Sequence, residues 1–403
     1  MAPRRVNEAD KAKPAGAIPW VHWLDPRKIG PIKPLLVFVP IALIAHGLHG
    51  PAGLQFGTAL LALLPLAAIM GEATEHLAHR AGPGIGGLLN STFGNAAELI
   101  IALALLFNGE DEVVKYTITG SILGNLLLVL GASLFAGGLR FTTQRFNKTA
   151  AGVGGTMLVL AGIGMLVPAI FHSLPEVFLQ RDETRVGLEH FLSLTVCLGL
   201  IGMYGLSLLF SLRTHKDVFN PKDESAEEHT GPSWSVKRAV IVLVVATIGV
   251  ALMSETLAGT IDETGRRWGL SKLFLGVVLL PIFGNAAEHS TAILVALKNK
   301  MDLAVGIALG SALQVALFVA PALVFASYLR PEPIDLVFST LEIVAVLLAI
   351  LIARMVAEDG ESNWLEGAML LMVYAIFGVA FYADPRTGPT PGEKPPSAAV
   401  AEH

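Results

Sequence analysis

Gly94-Asn95-Ala96-Ala97-Glu98 and Gly284-Asn285-Ala286-Ala287-Glu288 write one polar phrase twice, each time inside an apolar run. Each copy puts a carboxylate where hydrocarbon is the expected neighbour. A second small phrase follows at the same distance, Gly120-Ser121 and Gly310-Ser311, so both pairs share an offset of 190 positions (98 to 288, 121 to 311). Upstream, Thr74-Glu75-His76-Leu77-Ala78 is echoed by Ser254-Glu255-Thr256-Leu257-Ala258, with a longer connection to the polar phrase in the second copy. Gly/Ala-rich helices share vocabulary by chance. A five-residue identity ending in an ionisable residue, with Gly-Ser at one fixed offset, reads instead as an internal duplication.

Composition sets the medium in which this duplication works. The 403 residues are 53% hydrophobic and only 15% charged, with a mean hydropathy of +0.62, whereas a soluble chain carries roughly a quarter charged residues. The sequence therefore predicts an all-α integral membrane protein with no nucleic-acid partner. Its one cysteine, Cys197, excludes an intramolecular disulfide and suggests no redox or metal chemistry. Crossing about 30 Å of hydrocarbon takes roughly 20 apolar residues. Eleven such stretches are expected, near 34–50, 52–78, 85–107, 113–136, 149–170, 187–211, 236–261, 271–297, 302–326, 334–355 and 364–382.

Residues 1–33 are polar and basic and read as a cytoplasmic segment without a cleavable leader. Most Lys and Arg, among them Arg80, Arg140, Lys148, Arg213, Lys298 and Lys300, fall on the side of that segment. Arg266, Arg267 and Lys272 go against the rule. The expectation is a cytoplasmic N-terminus and an external C-terminus, in a microbial plasma membrane. Residues 34–50 form an unpaired extra helix, and 51–211 and 236–382 form two five-helix repeats. Five is odd, so the second repeat enters the bilayer reversed, the inverted topology of many secondary transporters, whose sites lie at the repeat interface near mid-membrane. The segment 212–235 is an acidic cytoplasmic linker. Asp223, Glu224, Glu227 and Glu228 in it read first as a solvated connection and second as a regulatory segment that concentrates divalent cations. The tail 383–403 reads as disordered.

Glu98 is expected near the middle of the third helix and Glu288 two-thirds of the way along the eighth. Acids at such depth cost several kcal/mol and face an interior cavity. Gly94 and Gly284 weaken their helices and free carbonyls toward that cavity. Asn95, Asn285, Ser121, Ser311, Asn125 and Gln314 add neutral oxygens. Hard divalent cations such as Ca²⁺ take six to eight oxygens including carboxylates, and the absence of cysteine from this set, with histidine only peripheral, disfavours softer metals. Two carboxylates in one low-dielectric cavity resist being charged together, so the empty pair is expected to hold protons that Ca²⁺ displaces. Glu72, Glu75 and Glu255 are candidates for the pathway mouths; each could equally cap or pair near a helix end. His289 is a further pathway candidate, although it points about 100° away from Glu288 around the helix and suits packing better. No cofactor is expected; Ca²⁺ and H⁺ enter as substrates.

Gly94 to Ile100, Gly120 to Leu128 and Gly284 to Ile293, followed by Val295 to Ala304, resemble the cation/proton exchanger family of Ca²⁺/H⁺ antiporters. The resemblance covers helices two to eleven. It implies that Glu98 and Glu288 are the essential carboxylates, that Ser121, Ser311 and Gln314 line the same site, and that an acidic mid-loop is present. Gly124 stands where the family often carries Ser. Two alternatives stay open. A Na⁺/Ca²⁺ or other cation/Ca²⁺ exchanger of the same superfamily uses the same repeats but adds hydroxyls where Ala96-Ala97 and Ala286-Ala287 stand. An intramembrane hydrolase is more remote, because Glu72, His76 and His79 do not make a His-Glu-x-x-His motif.

Overall fold

Residues 33–174, 182–215 and 234–384 of the chain are described by a computed structural model. Asp223, Glu224, Glu227 and Glu228 lie outside the described residues, as do most of the N-terminal segment and the C-terminal tail. A 3₁₀ turn, Lys33–Val37, leads into α1 (Phe38–Gly47). The first half continues with α2 (Ala52–Phe93), α3 (Ala96–Phe107), α4 (Asp111–Arg140), α5 (Lys148–Ser173) and α6 (Asp182–Leu209). The second holds α7 (Val236–Trp268), α8 (Lys272–Gly284), α9 (Ala286–Ala296), α10 (Met301–Ser327), α11 (Thr340–Val356) and α12 (Trp364–Tyr382). The protein is mostly helical, and seven of its described helices are long and apolar enough to cross a membrane, or eight with the bent pair α8–α9 counted as one.

The element boundaries depart from the hydropathy reading at the residues that carry the polar phrases. The expected loop between spans 52–78 and 85–107 is helical backbone. A Cβ built on Gly86 would nevertheless collide with the carbonyl of Ala78, although residues eight apart on a straight helix stand about 12 Å apart; α2 therefore bends sharply there. The break falls later, at Gly94-Asn95. Its counterpart at Asn285 separates α8 from α9 with a 59° bend. The starts of α3 and α9 share the 190 offset (96 to 286). So, within one residue, do two π-helical turns, Gly124–Val129 in α4 and Val315–Val319 in α10. A third π turn, Leu275–Leu279, precedes the break in α8, and a fourth, Phe210–Thr214, ends α6. Such turns hold one extra residue and gather at functional sites.

The expected span 334–355 starts later, at Thr340, because Ser339 and Glu342 form a capping box that fixes the helix start. One feature lies outside the all-α expectation: Gln144–Arg145 and Glu361–Ser362 pair as a two-residue antiparallel ladder (β1 and β2) joining links that precede α5 and α12. The helices α4 and α10 are central, with 72% and 67% of their apolar windows buried, against 17% for α6 and α12 at the periphery. The two helices that carry Ser121 and Ser311 thus form the middle of the bundle. Around them α2 runs along α7 and α4 packs on α12.

Candidate functional site

Both carboxylates sit at helix starts, just after a break that falls within the span expected from sequence. Asn95 (φ −96°, ψ 25°) and Asn285 (φ −105°, ψ 8°) leave helical geometry, and Glu98 and Glu288 occupy the first turns of α3 and α9. The cause is the Gly-Asn pair, two residues that weaken a helix interior. The consequence is electrostatic: unpaired N–H groups and the positive ends of two helix dipoles converge where anions are buried.

Asparagine at such a position ordinarily turns its side chain onto its own helix. Neither does so here. Asn95 donates its amide Nδ2 to the carbonyl of Ser311 at 3.2 Å, and Asn285 donates its own to Glu98 Oε1. Each amide therefore crosses to the other half of the chain. Ser311 Oγ donates to Glu288 Oε2 at 2.5 Å. Gln314 Nε2 takes up the carbonyl of Thr92 at 3.1 Å, one of those left over at the end of α2.

A cavity of about 2490 Å³ reaches these groups from one face of the protein, and Glu98, Glu288, Asn95, Asn285, Ser311 and Gln314 all line it, with Gly94 and Gly284. Glu72 and Glu75 lie on its wall nearer the mouth, with His79, Lys148, Lys300 and Asp302. On the far side of Glu98 lies a pocket of about 20 Å³, lined by Thr117, Ser121, Pro281 and Val315 among others; that volume admits about one water. Beyond it α4 is pressed on α8. A Cβ on Gly120 would overlap the carbonyl of Val277 and stand 2.6 Å from Pro281 Cγ, and one on Gly276 would stand 2.5 Å from Tyr116 Cβ. Gly310, the counterpart of Gly120, lines the large cavity and has nothing within 4 Å of its Cβ position. Ion pairs tie the sealed face together: Lys115–Asp335 at 2.5 Å, Arg330–Asp111 at 2.5 Å, and Lys272 with Glu110 at 2.7 Å and Asp262 at 2.6 Å.

The oxygens suit a hard cation. Asn95 Oδ1 and Glu98 Oε2 are buried without a protein partner. Among the described residues no three of His, Cys, Asp and Glu come together as a metal cluster; the large cavity brings two carboxylates together with neutral side-chain oxygens.

Not every candidate joins it. Asn125 is fully buried in the π turn of α4 and lines neither cavity. His289 is buried, lines neither cavity and leaves Nε2 unpaired; the turn of α9 carries it away from Glu288. Glu255 accepts from Asn108 Nδ2 at 3.1 Å, at the end of α3, and so is tied to a helix end away from the large cavity. His76 stacks on Trp234 at 4.6 Å. Sequence reasoning missed Thr92, and also Tyr204, which lines the large cavity and stacks on Phe318 at 5.3 Å. It missed Glu342 too, a buried acid that accepts from Thr119 Oγ1 at 2.9 Å and faces neither cavity. Glu342 was open to discovery as the fourth residue of a capping box; Thr92 and Tyr204 carried no sequence signal.

Residues 52–213 and 238–383 match the sodium/calcium exchanger protein family, and the chain belongs to it. It is thereby an integral membrane transporter rather than an enzyme. It is 45% identical over 364 residues to the Ca(2+)/H(+) antiporter of Aphanothece halophytica, covering 87% of this chain and 96% of that one. It is 45% identical over 345 residues to the Ca(2+)/H(+) antiporter ChaA of Bacillus subtilis (strain 168), covering 85% and 96%. Among solved structures it resembles native YfkE with a TM-score of 0.74 at 39% identity, over 87% of this chain and 99% of that one.

Proposed function

We propose that this protein exchanges Ca²⁺ for H⁺ across a membrane, with Glu98 and Glu288 binding the two ions in competition. The carrying observation is that both acids line one cavity open to a single face. Relatives at 45% identity bear the name Ca(2+)/H(+) antiporter, which supports the choice of ions. In the empty site the two acids carry protons, since two bare carboxylates in a low-dielectric cavity repel each other. Ca²⁺ enters as protons leave, taking oxygens from Glu98, Glu288, Asn95 and Ser311. Only a loaded site is neutral enough to pass the barrier, which couples the two fluxes.

Alternating access follows from two five-helix repeats of opposite orientation, about eleven spans in all. The conformation described is open to the face bearing Lys148, Lys298 and Lys300, which the positive-inside rule makes cytoplasmic; the setting is a microbial plasma membrane. Glu72 and Glu75 attract cations into the open mouth, and Glu255 stands at the sealed one. Asp223, Glu224, Glu227 and Glu228 belong to the cytoplasmic linker.

The test is flux in liposomes containing the purified protein. A proton gradient should drive Ca²⁺ movement, and Glu98→Gln and Glu288→Gln should each reduce it at least a hundredfold. Undiminished flux in either variant refutes the assignment, and flux driven by a Na⁺ gradient instead favours a Na⁺/Ca²⁺ exchanger.

A further inference from the structure

Glu75 and Glu255 stand in the paired phrases upstream of the two breaks, and the conformation described employs them differently. Thr74 Oγ1 donates to the carbonyl of Met70 at 2.9 Å and Ser254 Oγ to that of Val250 at 2.7 Å. The phrases therefore sit on α2 and α7 in one register, 180 positions apart, and each leaves its glutamate exposed. On α7, Glu255 accepts from Asn108 Nδ2 at 3.1 Å, at the tip between α3 and α4 on the sealed side. On α2, Glu75 lines the large cavity.

The tip that holds Glu255 also has a copy. The N–H of Gly109 donates to the carbonyl of Leu106 at 3.1 Å, and that of Glu110 to Leu105 at 3.0 Å. At an offset of 190, the N–H of Asn299 donates to Ala296 at 3.0 Å and that of Lys300 to Val295 at 3.0 Å. Gly109 and Asn299 both take left-handed backbone, with φ of 80° and 60°. One turn is thus written twice, once on the sealed face and once on the open face, and Asn108 corresponds to Lys298. Lys298 is exposed and lines the large cavity, as Glu75 does. The group placed to answer a glutamate is an amide at the sealed tip and an ammonium at the open one. Glu72 has no such counterpart, since position 252 is Leu, and Lys300 corresponds to Glu110 rather than to Asn108.

We propose that Glu75 and Lys298 form the ion pair that closes the large cavity in the opposite conformation. There α2 packs on α9 as α7 now packs on α3, and the carboxylate meets the ammonium as Glu255 now meets Asn108. An exposed ion pair contributes little by itself, which suits a gate that reopens in every cycle. Closure also neutralises the acid at the mouth while the ion leaves by the other side. The inference rests on the inverted-repeat reading above.

The test uses full-length protein with Cys197→Ala and Thr156→Cys, which give one reactive thiol on the exposed wall of the large cavity. Lys298→Glu sets two carboxylates against each other at the closing mouth. Ca²⁺/H⁺ exchange in liposomes should fall by about fivefold or more, since like charges side by side oppose closure. An uncharged polyethylene-glycol maleimide should label the thiol severalfold faster in Ca²⁺-free detergent, because the described conformation is favoured. Glu75→Lys should act alike. Combining the two restores the pair with its charges exchanged, and both readouts should return to within about twofold of the parent. Lys300→Glu, on the wall of the same cavity, should leave labelling unchanged. A role confined to attracting cations would instead make Lys298→Glu exchange faster than the parent. Faster or unchanged exchange, unchanged labelling, or a combined variant worse than either single one each overturns the inference. So does Lys300→Glu labelling as fast as Lys298→Glu. Glu98→Gln and Glu288→Gln in the same assay separate the two readings. If they still exchange, the ion site itself is wrong; if they are silent while Lys298→Glu exchanges normally, only the ion pair falls.

Discussion

Asn95 and Asn285 hold the site together by declining their local role, since each sends its amide across to the other half of the chain. That choice makes the two halves report on each other. Asn285→Ala strips Glu98 Oε1 of its donor, and a hydrogen bond to a charged group contributes about 1.5–3 kcal/mol. Ca²⁺ affinity should therefore weaken by roughly tenfold or more, which calorimetric titration of the variant measures; an unchanged affinity would show that the amide does not position the carboxylate. Glu98, Glu288 and the serines were legible because the phrase is written twice. The crossing amides were not, because capping preference is local and points Asn at its own helix. Asn125 was legible as a polar residue near Ser121 but not as one outside the open cavity, since hydropathy does not say which way a helix face points.

Two helices that end and restart at Gly-Asn give the site its geometry, and the contact of α4 with α8 decides which side is shut. Adding a methyl at Gly120 drives it into the Val277 carbonyl, and overpacking of this kind destabilises by about 1–3 kcal/mol. Gly120→Ala should lower the thermal midpoint and slow maleimide labelling of a thiol at Thr156, whereas Gly310→Ala should leave the midpoint alone and slow exchange. Equal effects of the two substitutions on stability would remove the asymmetry on which the open and sealed sides were assigned. Hydropathy found most apolar spans at this scale and put a connection between 78 and 85, where α2 bends although its backbone stays helical. A twenty-residue window averages over a two-residue break, so the interruption at Asn95 vanishes into apolar surroundings. The β1–β2 ladder was invisible for the same reason, each strand being two residues long.

Across the whole molecule the sealed face is held by Lys115–Asp335, Arg330–Asp111 and the pairs of Lys272, all partly exposed. Single exposed pairs contribute only about 0.2–1 kcal/mol, so one substitution should do little. Lys115→Ala combined with Arg330→Ala should shift the population toward the opposite conformation, seen as slower labelling of the large cavity; faster labelling would mean that these pairs do not close the far side. The family could be read from Gly94 to Ile100, Gly120 to Leu128 and Gly284 to Ala304, whereas the direction in which the molecule opens required coordinates, because two near-copies of one phrase describe both directions equally. The most direct measurement is Ca²⁺ binding to the purified protein by calorimetry in buffers of differing ionisation enthalpy. Competition at Glu98 and Glu288 requires protons to be released as Ca²⁺ binds, and affinity to fall as the medium is acidified. Tight Ca²⁺ binding with no proton release and no dependence on pH would contradict it.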